Sequence, residues 1–273
     1  MLGSGSAGNA TLLQDGEQRV LIDVGLSYRE VARRLDSVGV PAASVGAIVI
    51  THAHGDHTRG AALFSRRHGV SVYATRQTRA IWRGADVTVW GDLECGNATE
   101  ICGFRFSTFE VSHDAAAETV AFCIRTSGGC IGFATDVGVV TPTLRSRFER
   151  CRLLVMESNH ARELLQVGPY APSMKARISG ARGHLSNEEL ALFVRDDLGR
   201  SVECLVLAHL SRVNNAPELA ELNCRQALDA AGRSDVRVVV AHQDRVAETV
   251  ELDVEGGHNH EDASTVRQVA LPF

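Results

Sequence analysis

Lysine is almost missing from this chain: of its 28 Lys and Arg residues only Lys175 is a lysine. A skew of that kind reflects genome composition, so arginine abundance by itself points to no partner. No two of the seven cysteines (Cys95, Cys102, Cys123, Cys130, Cys151, Cys204 and Cys224) form a C-x-x-C pair, and their number is odd. That argues against a disulfide framework; most lie in apolar, strand-like runs and are expected to be buried free thiols in a reducing cytoplasm. No apolar run is long enough to span a bilayer, and the first residues, Met1-Leu2-Gly3-Ser4-Gly5-Ser6, lack the basic segment and apolar core of a signal peptide. A cytoplasmic protein without a membrane partner is expected. The net charge of −5 excludes a global attraction to nucleic acid, so any polyanion must be held by a local patch or by a metal. No internal repeat is visible. With 273 residues, 44% hydrophobic and 22% charged, the composition is that of a globular protein. We read residues 1–254 as one domain and 255–273 as a flexible or edge-packed C-terminal segment, whose His258 and His260 belong to a solvated linker.

What is present is concentrated in Thr51-His52-Ala53-His54-Gly55-Asp56-His57. Three imidazoles and a carboxylate in the pattern H-x-H-x-D-H arise by chance in roughly one such chain in a thousand. The run 46–50 before it reads as a short buried strand. Residues two apart in an extended segment point the same way, so His52 and His54 are placed to grip one cation. Asp56 and His57 follow where the pattern turns helical. Asp56 is expected at the helix N-cap, with His57 in the first turn facing a second cation. Nitrogen and carboxylate donors suit zinc, and also manganese or iron.

A dinuclear site needs further ligands, and three residues repeat the same local logic of apolar strand, polar residue, loop. They are His113 after 104–111, Asp136 after 131–134 and His209 after 204–208. Asp136 has two oxygens and can bridge two cations. Elsewhere the pattern predicts strands at 11–13, 19–23, 70–73, 87–90, 99–109, 119–126, 130–134, 153–156, 236–241 and 250–254. Helices are predicted at 28–38, 57–68, 75–82, 187–195 and 217–228, with Ser186 and Glu189 forming a capping box. The best layering puts helices outside and two sheets inside, with the ligands on loops at one sheet edge.

H-x-H-x-D-H followed by His113, Asp136 and His209 resembles, in order, the metal motifs of the metallo-β-lactamase-fold hydrolases. The resemblance implies an α/β fold, the four-layer αββα sandwich. The segments Gly3–Asn9, Asp23–Ser27, Glu157-Ser158-Asn159-His160, Gly183–Asn187 and His209-Leu210-Ser211 with Asn214-Asn215 are similar to the YycJ-like (WalJ) branch, related to ribonucleases Z and J. Two departures stand out. The branch usually carries T-H-E-H-S-D-H, where this chain has Ala53 and Gly55, and E-S-N-H-D, where it has Ala161.

The resemblance implies a hydrolase with two divalent ions, zinc first and manganese or iron as alternatives. These ionise a bridging water, which attacks a phosphodiester of DNA or RNA as hydroxide in an exonuclease-like reaction. Asp56 would hold the second ion and accept the nucleophile's proton. His184, in Gly183-His184-Leu185-Ser186, corresponds to the proton-donating histidine of ribonuclease Z, and Glu157 orients it; the plain alternatives are a packed loop histidine and a structural carboxylate. His160 reads equally as a support for a carboxylate or as a substrate contact. Lys175, Arg177 and Arg182 read as phosphate-backbone contacts or as solvated helix charge. Ser4, Ser6 and Asn9 read as a phosphate-cupping turn or a flexible one, and Arg212, Asn214 and Asn215 as substrate contacts or a loop cap. A homodimer is left open. Two further readings compete: a small-molecule hydrolase acting on a thioester, lactone, lactam or cyclic nucleotide, and a non-catalytic metal-binding regulator.

Overall fold

The computed structural model describes residues 1–82 and 87–254. The tail histidines His258 and His260 lie outside the described residues. Twelve strands form two sheets among the described residues. The first has the order β1 (Thr11–Asp15), β2 (Gln18–Ile22), β3 (Ala47–Val49), β4 (Ser71–Thr75), β5 (Trp90–Leu93). The second contains β6 (Ala98–Ile101), β7 (Phe104–Val111), β8 (Thr119–Thr126), β9 (Gly129–Ala134), β10 (Leu153–Glu157), β11 (Cys204–Ala208) and β12 (Arg237–Val240), and runs β12-β11-β10-β9-β8-β7-β6. In both sheets an antiparallel part, β1–β2 and β6–β9, continues into parallel strands. The helices are α1 (Tyr28–Ser37), α2 (Gly55–Thr58), α3 (Ala61–His68), α4 (Arg76–Ile81), α5 (Pro142–Phe148), α6 (Arg162–Val167), α7 (Pro172–Ile178), α8 (Asn187–Asp197) and α9 (Pro217–Ala230).

Alternation along the strands makes the layers. Val20, Ile22, Ala47 and Val49 of the first sheet meet Phe106, Phe122, Phe133, Val155 and Val206 of the second, forming the core between the sheets. Their neighbours Leu21, Ile48 and Val72 point outward under Val31 and Leu35 of α1 and Phe64 of α3. On the far side Leu154, Met156, Leu205 and Leu207 pack under Phe148 of α5, Phe193 of α8 and Leu228 of α9. This is the expected helix–sheet–sheet–helix sandwich.

Several elements differ from the sequence reading. The stretch 57–68 is two helices, because the Gly60 N–H bonds the Val24 carbonyl at 2.8 Å and that close approach breaks the run. A Cβ at Gly60 would stand 2.2 Å from the Leu26 carbonyl. Asp56 is not the N-cap: His54 holds that position, and Asp56 lies inside the first turn of α2. The run 99–109 is a hairpin, folded at Cys102-Gly103, both of positive φ. The strand predicted at 87–90 lies at Trp90–Leu93. Residues 250–254 form no strand; Val250 and Leu252 pack on the inter-sheet core without joining a ladder. Helices α5, α6 and α7 carry too few apolar repeats to be read in advance. Only Cys151, Cys204 and Cys224 are fully buried; Cys95 and Cys102 are exposed, against expectation, because they lie at turns beside β6, not inside a layer. All seven are free thiols.

Candidate metal centre

Every histidine and carboxylate singled out from the motifs comes to one edge of the sandwich, where β2, β3, β7, β9, β10 and β11 end. His52, His54, Asp56 and His57 follow β3, His113 follows β7, Asp136 follows β9, and His209 follows β11. Glu157 is the last residue of β10, and His184 enters from the loop before α8. Strand ends are the customary ligand position in open α/β sheets. Three of the four non-glycine residues with positive φ among those described are here: Asp23 (57°), Asp136 (58°) and His209 (56°). Each left-handed residue costs about 1–3 kcal/mol, a strain typical of functional sites.

The side chains form two triads. The donor atoms of His52, His54 and His113 lie within 4.8 Å of one another, and so do those of Asp56, His57 and His209. Within the first, His52 Nε2 stands 3.0 Å from His54 Nδ1. Asp136 lies between the triads. Its Oδ2 is 3.1 Å from His57 Nε2 and its Oδ1 is 3.7 Å from His113 Nε2. Asp56 Oδ2 is 3.6 Å from the Nε2 atoms of both His57 and His209.

The ring orientations are fixed from behind. His57 Nδ1 donates to Asp23 Oδ2 at 2.8 Å, His113 Nδ1 to the Gly183 carbonyl at 3.0 Å, and His209 Nδ1 to Glu157 Oε1 at 2.8 Å. Each ring therefore turns Nε2 into the cluster, the pattern in which a carboxylate or carbonyl sets the tautomer of a metal-binding imidazole. His113 Nε2, His209 Nε2 and Asp136 Oδ2 are buried and have no hydrogen-bond partner. A buried polar atom without a partner costs about 1–3 kcal/mol. Three of them converging with imidazole and carboxylate donors fit divalent cations. The donors are nitrogen and oxygen, with no sulfur among them.

The electrostatics divide the cluster. Burial lowers the pKa of His52 and His54, helped by the neighbouring imidazoles. Burial opposes protonation of His57 and His209 too, but Asp23 and Asp136 hold His57 above its ordinary value, and Asp136, Asp56 and Glu157 do the same for His209. Burial works against the Asp136 carboxylate, yet His209 and His57 hold it well below the usual range.

His184 and Glu157 are joined. His184 Nδ1 donates to Glu157 Oε1 at 2.8 Å, the same oxygen that receives His209. Glu157 Oε2 accepts the N–H groups of Val137 at 2.6 Å and Leu185 at 3.3 Å. Glu157 is thus a fully buried hub, whereas the His184 side chain is 19% exposed, at the rim. Burial disfavours the imidazolium, but Glu157 outweighs it and raises the pKa of His184.

The other groups singled out from the sequence are engaged within the protein. Lys175 Nζ bonds the Gln166 carbonyl, Arg177 is paired with Asp114 and Arg182 bonds the His113 carbonyl. Arg177 and Arg182 thereby tie the segment before His184 to the His113 loop. Ser4 Oγ accepts the His209 N–H at 2.7 Å, and Asn9 Oδ1 accepts the Gly5 N–H at 2.8 Å. The Asn9 N–H bonds the Asp56 carbonyl, so the first ten residues clip the Asp56 turn to the His209 loop. Ser6 is exposed. Asn215 bonds the carbonyls of Ser158 and Asn159 and the Asn187 side chain, a loop cap, and Arg212 pairs with Asp244 on the surface. Asn214 is buried in the same loop. His160 is buried, and its carbonyl accepts the Asn187 N–H. Ala161 stands at the N-cap of α6 without a side-chain cap, and Glu188 takes the Arg162 N–H.

Asp23 and Thr51 were missed. Asp23 accepts from His57 and from the N–H and hydroxyl of Thr51. The signal was present, since Asp23 follows β2 as Asp136 follows β9. Gly25 belongs to the same support: a Cβ there would come within 1.6 Å of the Asp56 carbonyl.

The family model of the beta-lactamase superfamily domain matches residues 18–210. The chain belongs to that superfamily. Its relatives narrow the branch. The chain is similar to the exodeoxyribonuclease YycJ of Bacillus anthracis, at 31% identity over 247 residues, covering 85% of this chain and 89% of that protein. It is similar as well to the exodeoxyribonuclease WalJ of Streptococcus pneumoniae serotype 2 (strain D39), at 31% over 228 residues, covering 81% and 84%. Among solved structures, the metallo-beta-lactamase fold protein YhfI from Bacillus subtilis matches with a TM-score of 0.66 at 14% identity, over 89% of this chain and 95% of that one. No helix among the described residues is long and apolar enough to cross a membrane.

Proposed function

We propose that the chain is a dinuclear metal-dependent phosphodiesterase acting on DNA from an end, with residues 1–254 as the catalytic domain. One observation carries the reading. Asp136 stands between the two triads, with Oδ2 3.1 Å from His57 and Oδ1 3.5 Å from His209 and 3.7 Å from His113, and its Oδ2 and the Nε2 atoms of His113 and His209 are buried without a partner. His52, His54 and His113 would hold one ion, Asp56, His57 and His209 the other, and Asp136 would touch both. The donor set favours zinc and accommodates manganese or iron. Two bound cations supply a water ionised near neutral pH and a counter-charge for the phosphodiester. The similarity to the exodeoxyribonucleases YycJ and WalJ supports DNA as the substrate.

The chain's own residues supply the rest. Asp56 faces the space between the triads and accepts the proton of the attacking water. His184 is held by Glu157 through Nδ1, which leaves Nε2 for the substrate. As the P–O bond breaks, the leaving oxygen takes the Nε2 proton. The carboxylate behind the ring keeps the imidazolium available near neutral pH.

A small-molecule hydrolase is the second reading. It is favoured by the internal engagement of Lys175, Arg177 and Arg182, which leaves those groups bound to the protein itself. Labelled single-stranded DNA, bis-p-nitrophenyl phosphate and a thioester, run side by side, decide between them. His184→Ala should keep its metal content and lose about 10²–10⁴ in turnover on DNA. The loss should shrink on bis-p-nitrophenyl phosphate, whose leaving group needs no proton. Equal losses on both, or none on DNA, remove His184 from the proton-donor role.

A further inference from the structure

The opposite end of β9 carries a second cluster that the phosphodiesterase reading does not use. Cys123 on β8, Cys130 at the start of β9 and Cys151 just before β10 bring their Sγ atoms within 4.8 Å of one another. Cys123 stands opposite Gly132 and Cys130 opposite Arg125, so the two are diagonal neighbours on the outer face of the second sheet. Cys151 is fully buried beneath them, after the end of α5. Asp136 is six steps along strand and turn from Cys130, about 20 Å at ~3.3 Å per residue, so the cluster is distinct from the centre at the other edge.

The sulfur spacing discriminates between uses. Cys130 and Cys151 have Sγ atoms 3.5 Å apart. A disulfide needs about 2.05 Å. Two thiolates on one tetrahedral zinc, with Zn–S of about 2.3 Å, stand about 3.8 Å apart. The pair therefore has the spacing of an edge of a coordination tetrahedron. A fourth donor is in place: the Arg147 carbonyl, in the last turn of α5, lies 3.2 Å from Cys123 Sγ and 3.9 Å from Cys151 Sγ. Helix-end carbonyls lack intrahelical partners and are free to turn to such a site.

We propose that Cys123, Cys130 and Cys151, with the Arg147 carbonyl, form a separate zinc site that pins the end of α5 to β8 and β9. Three neutral thiols would lose their protons to solvent on binding, leaving a tris-thiolate zinc with one net negative charge. The surroundings favour that charge, since the guanidiniums of Arg147 and Arg125 act on Cys123 and Cys130 in the direction of ionisation. Cys123 and Cys130 are only half-buried, which gives the ion a way in.

The probe is Cd²⁺ added to the reduced full-length protein whose catalytic centre is already loaded with its two metal ions. The catalytic cluster contains no sulfur, so a sulfur-to-cadmium charge-transfer band in the ultraviolet reports the cysteines alone. The band should saturate at one equivalent. It should be lost, or need about tenfold more cadmium, in C130S. The double variant C95S/C102S, which removes the two exposed thiols, should keep it. Wild-type protein supplies the check that does not depend on a variant folding: Zn²⁺ should slow alkylation of Cys130 about tenfold, mapped by mass spectrometry. DNA hydrolysis in C130S should be unchanged, and its thermal midpoint should no longer respond to that equivalent of zinc. An alkylation rate indifferent to Zn²⁺, a band that persists in C130S at the same cadmium concentration, or a Cys130–Cys151 disulfide forming in the presence of Zn²⁺ overturns the proposal.

Discussion

The two triads of the centre use the same imidazole chemistry in unlike surroundings. Around His52 and His54, burial and neighbouring rings disfavour protons. Around His57 and His209, Asp23, Asp136, Asp56 and Glu157 favour positive charge. The first triad presents imidazoles alone. The second adds a carboxylate ligand, Asp56, and rings made more basic by the carboxylates behind them. A site that draws a proton this strongly when no other cation is offered draws a metal by the same field. The second triad should therefore fill first and hold harder, with Asp136 coupling the two.

The coupling gives the largest expected effect. Asp136→Asn keeps the shape but removes the charge that faces both triads. Losing a residue that merely supports a ligand typically costs 10–100-fold in metal affinity, so losing a shared ligand should exceed about a hundredfold for both ions. Metal content after dialysis, measured together with DNA hydrolysis, checks this. Retention of two equivalents would show that Asp136 bridges nothing. Next come the separate triads. Asp56→Asn and His54→Ala should each leave one equivalent bound, and the Asp56 variant should lose about tenfold more affinity. Titration with a competing chelator gives the order, and the reverse order would break the comparison.

The supporting shell ranks third. In Asp23→Asn the side chain still accepts a hydrogen bond from His57, but the charge that raises the basicity of the ring is gone. Metal affinity should fall by about 10–100-fold at the second triad and stay within about twofold at the first. Equal losses at both would mean that Asp23 serves the backbone of the whole edge, through Thr51, more than it serves His57.

The same contrast explains what the sequence made legible. His52–His57 is one continuous stretch, and its spacing alone announces a metal. His113, Asp136 and His209 are single residues whose signal is a strand that stops at a polar side chain; only the shared order of strand ends, with the family resemblance, draws them together. Asp23 has the same signal at the end of β2 and escaped because it lies far upstream of the H-x-H-x-D-H stretch and reads as the last residue of its strand. Alternation was enough for the layers, since Leu21 and Ile48 separate cleanly from Val20 and Val49. The break at Gly60 was not legible, because it depends on the carbonyls of Val24 and Leu26 pressing on the turn from another part of the chain. The internal partners of Arg177 and Arg182 were hidden for the same reason.

A carboxylate–cation group outside the centre sets the small end of the scale. Glu30 in α1 pairs with Arg33 and Arg34 at 2.6 Å each, and Arg34 Nη1 donates at 2.6 Å to the Leu2 carbonyl, holding the N-terminal clip in place. The Arg33 hydrogen bond is the main cause lowering the Glu30 pKa from 4.5 to about 2, against burial and with help from Arg34. A carboxyl whose pKa is depressed on folding adds stability above its unfolded pKa, and that stability is lost as pH falls through the folded value. The window is therefore from about pH 4.5 down to about pH 2. Glu30 is only half-buried, so water and salt screen the pair and its contribution should be about 1 kcal/mol or less. Glu30→Gln should lower the urea midpoint slightly at neutral pH, and the difference from wild type should vanish as the acid limit is approached. A deficit that stays constant across the acid range would assign the effect to packing under Arg34, and leave the buried carboxylates of the metal edge as the groups that set the acid sensitivity of the fold.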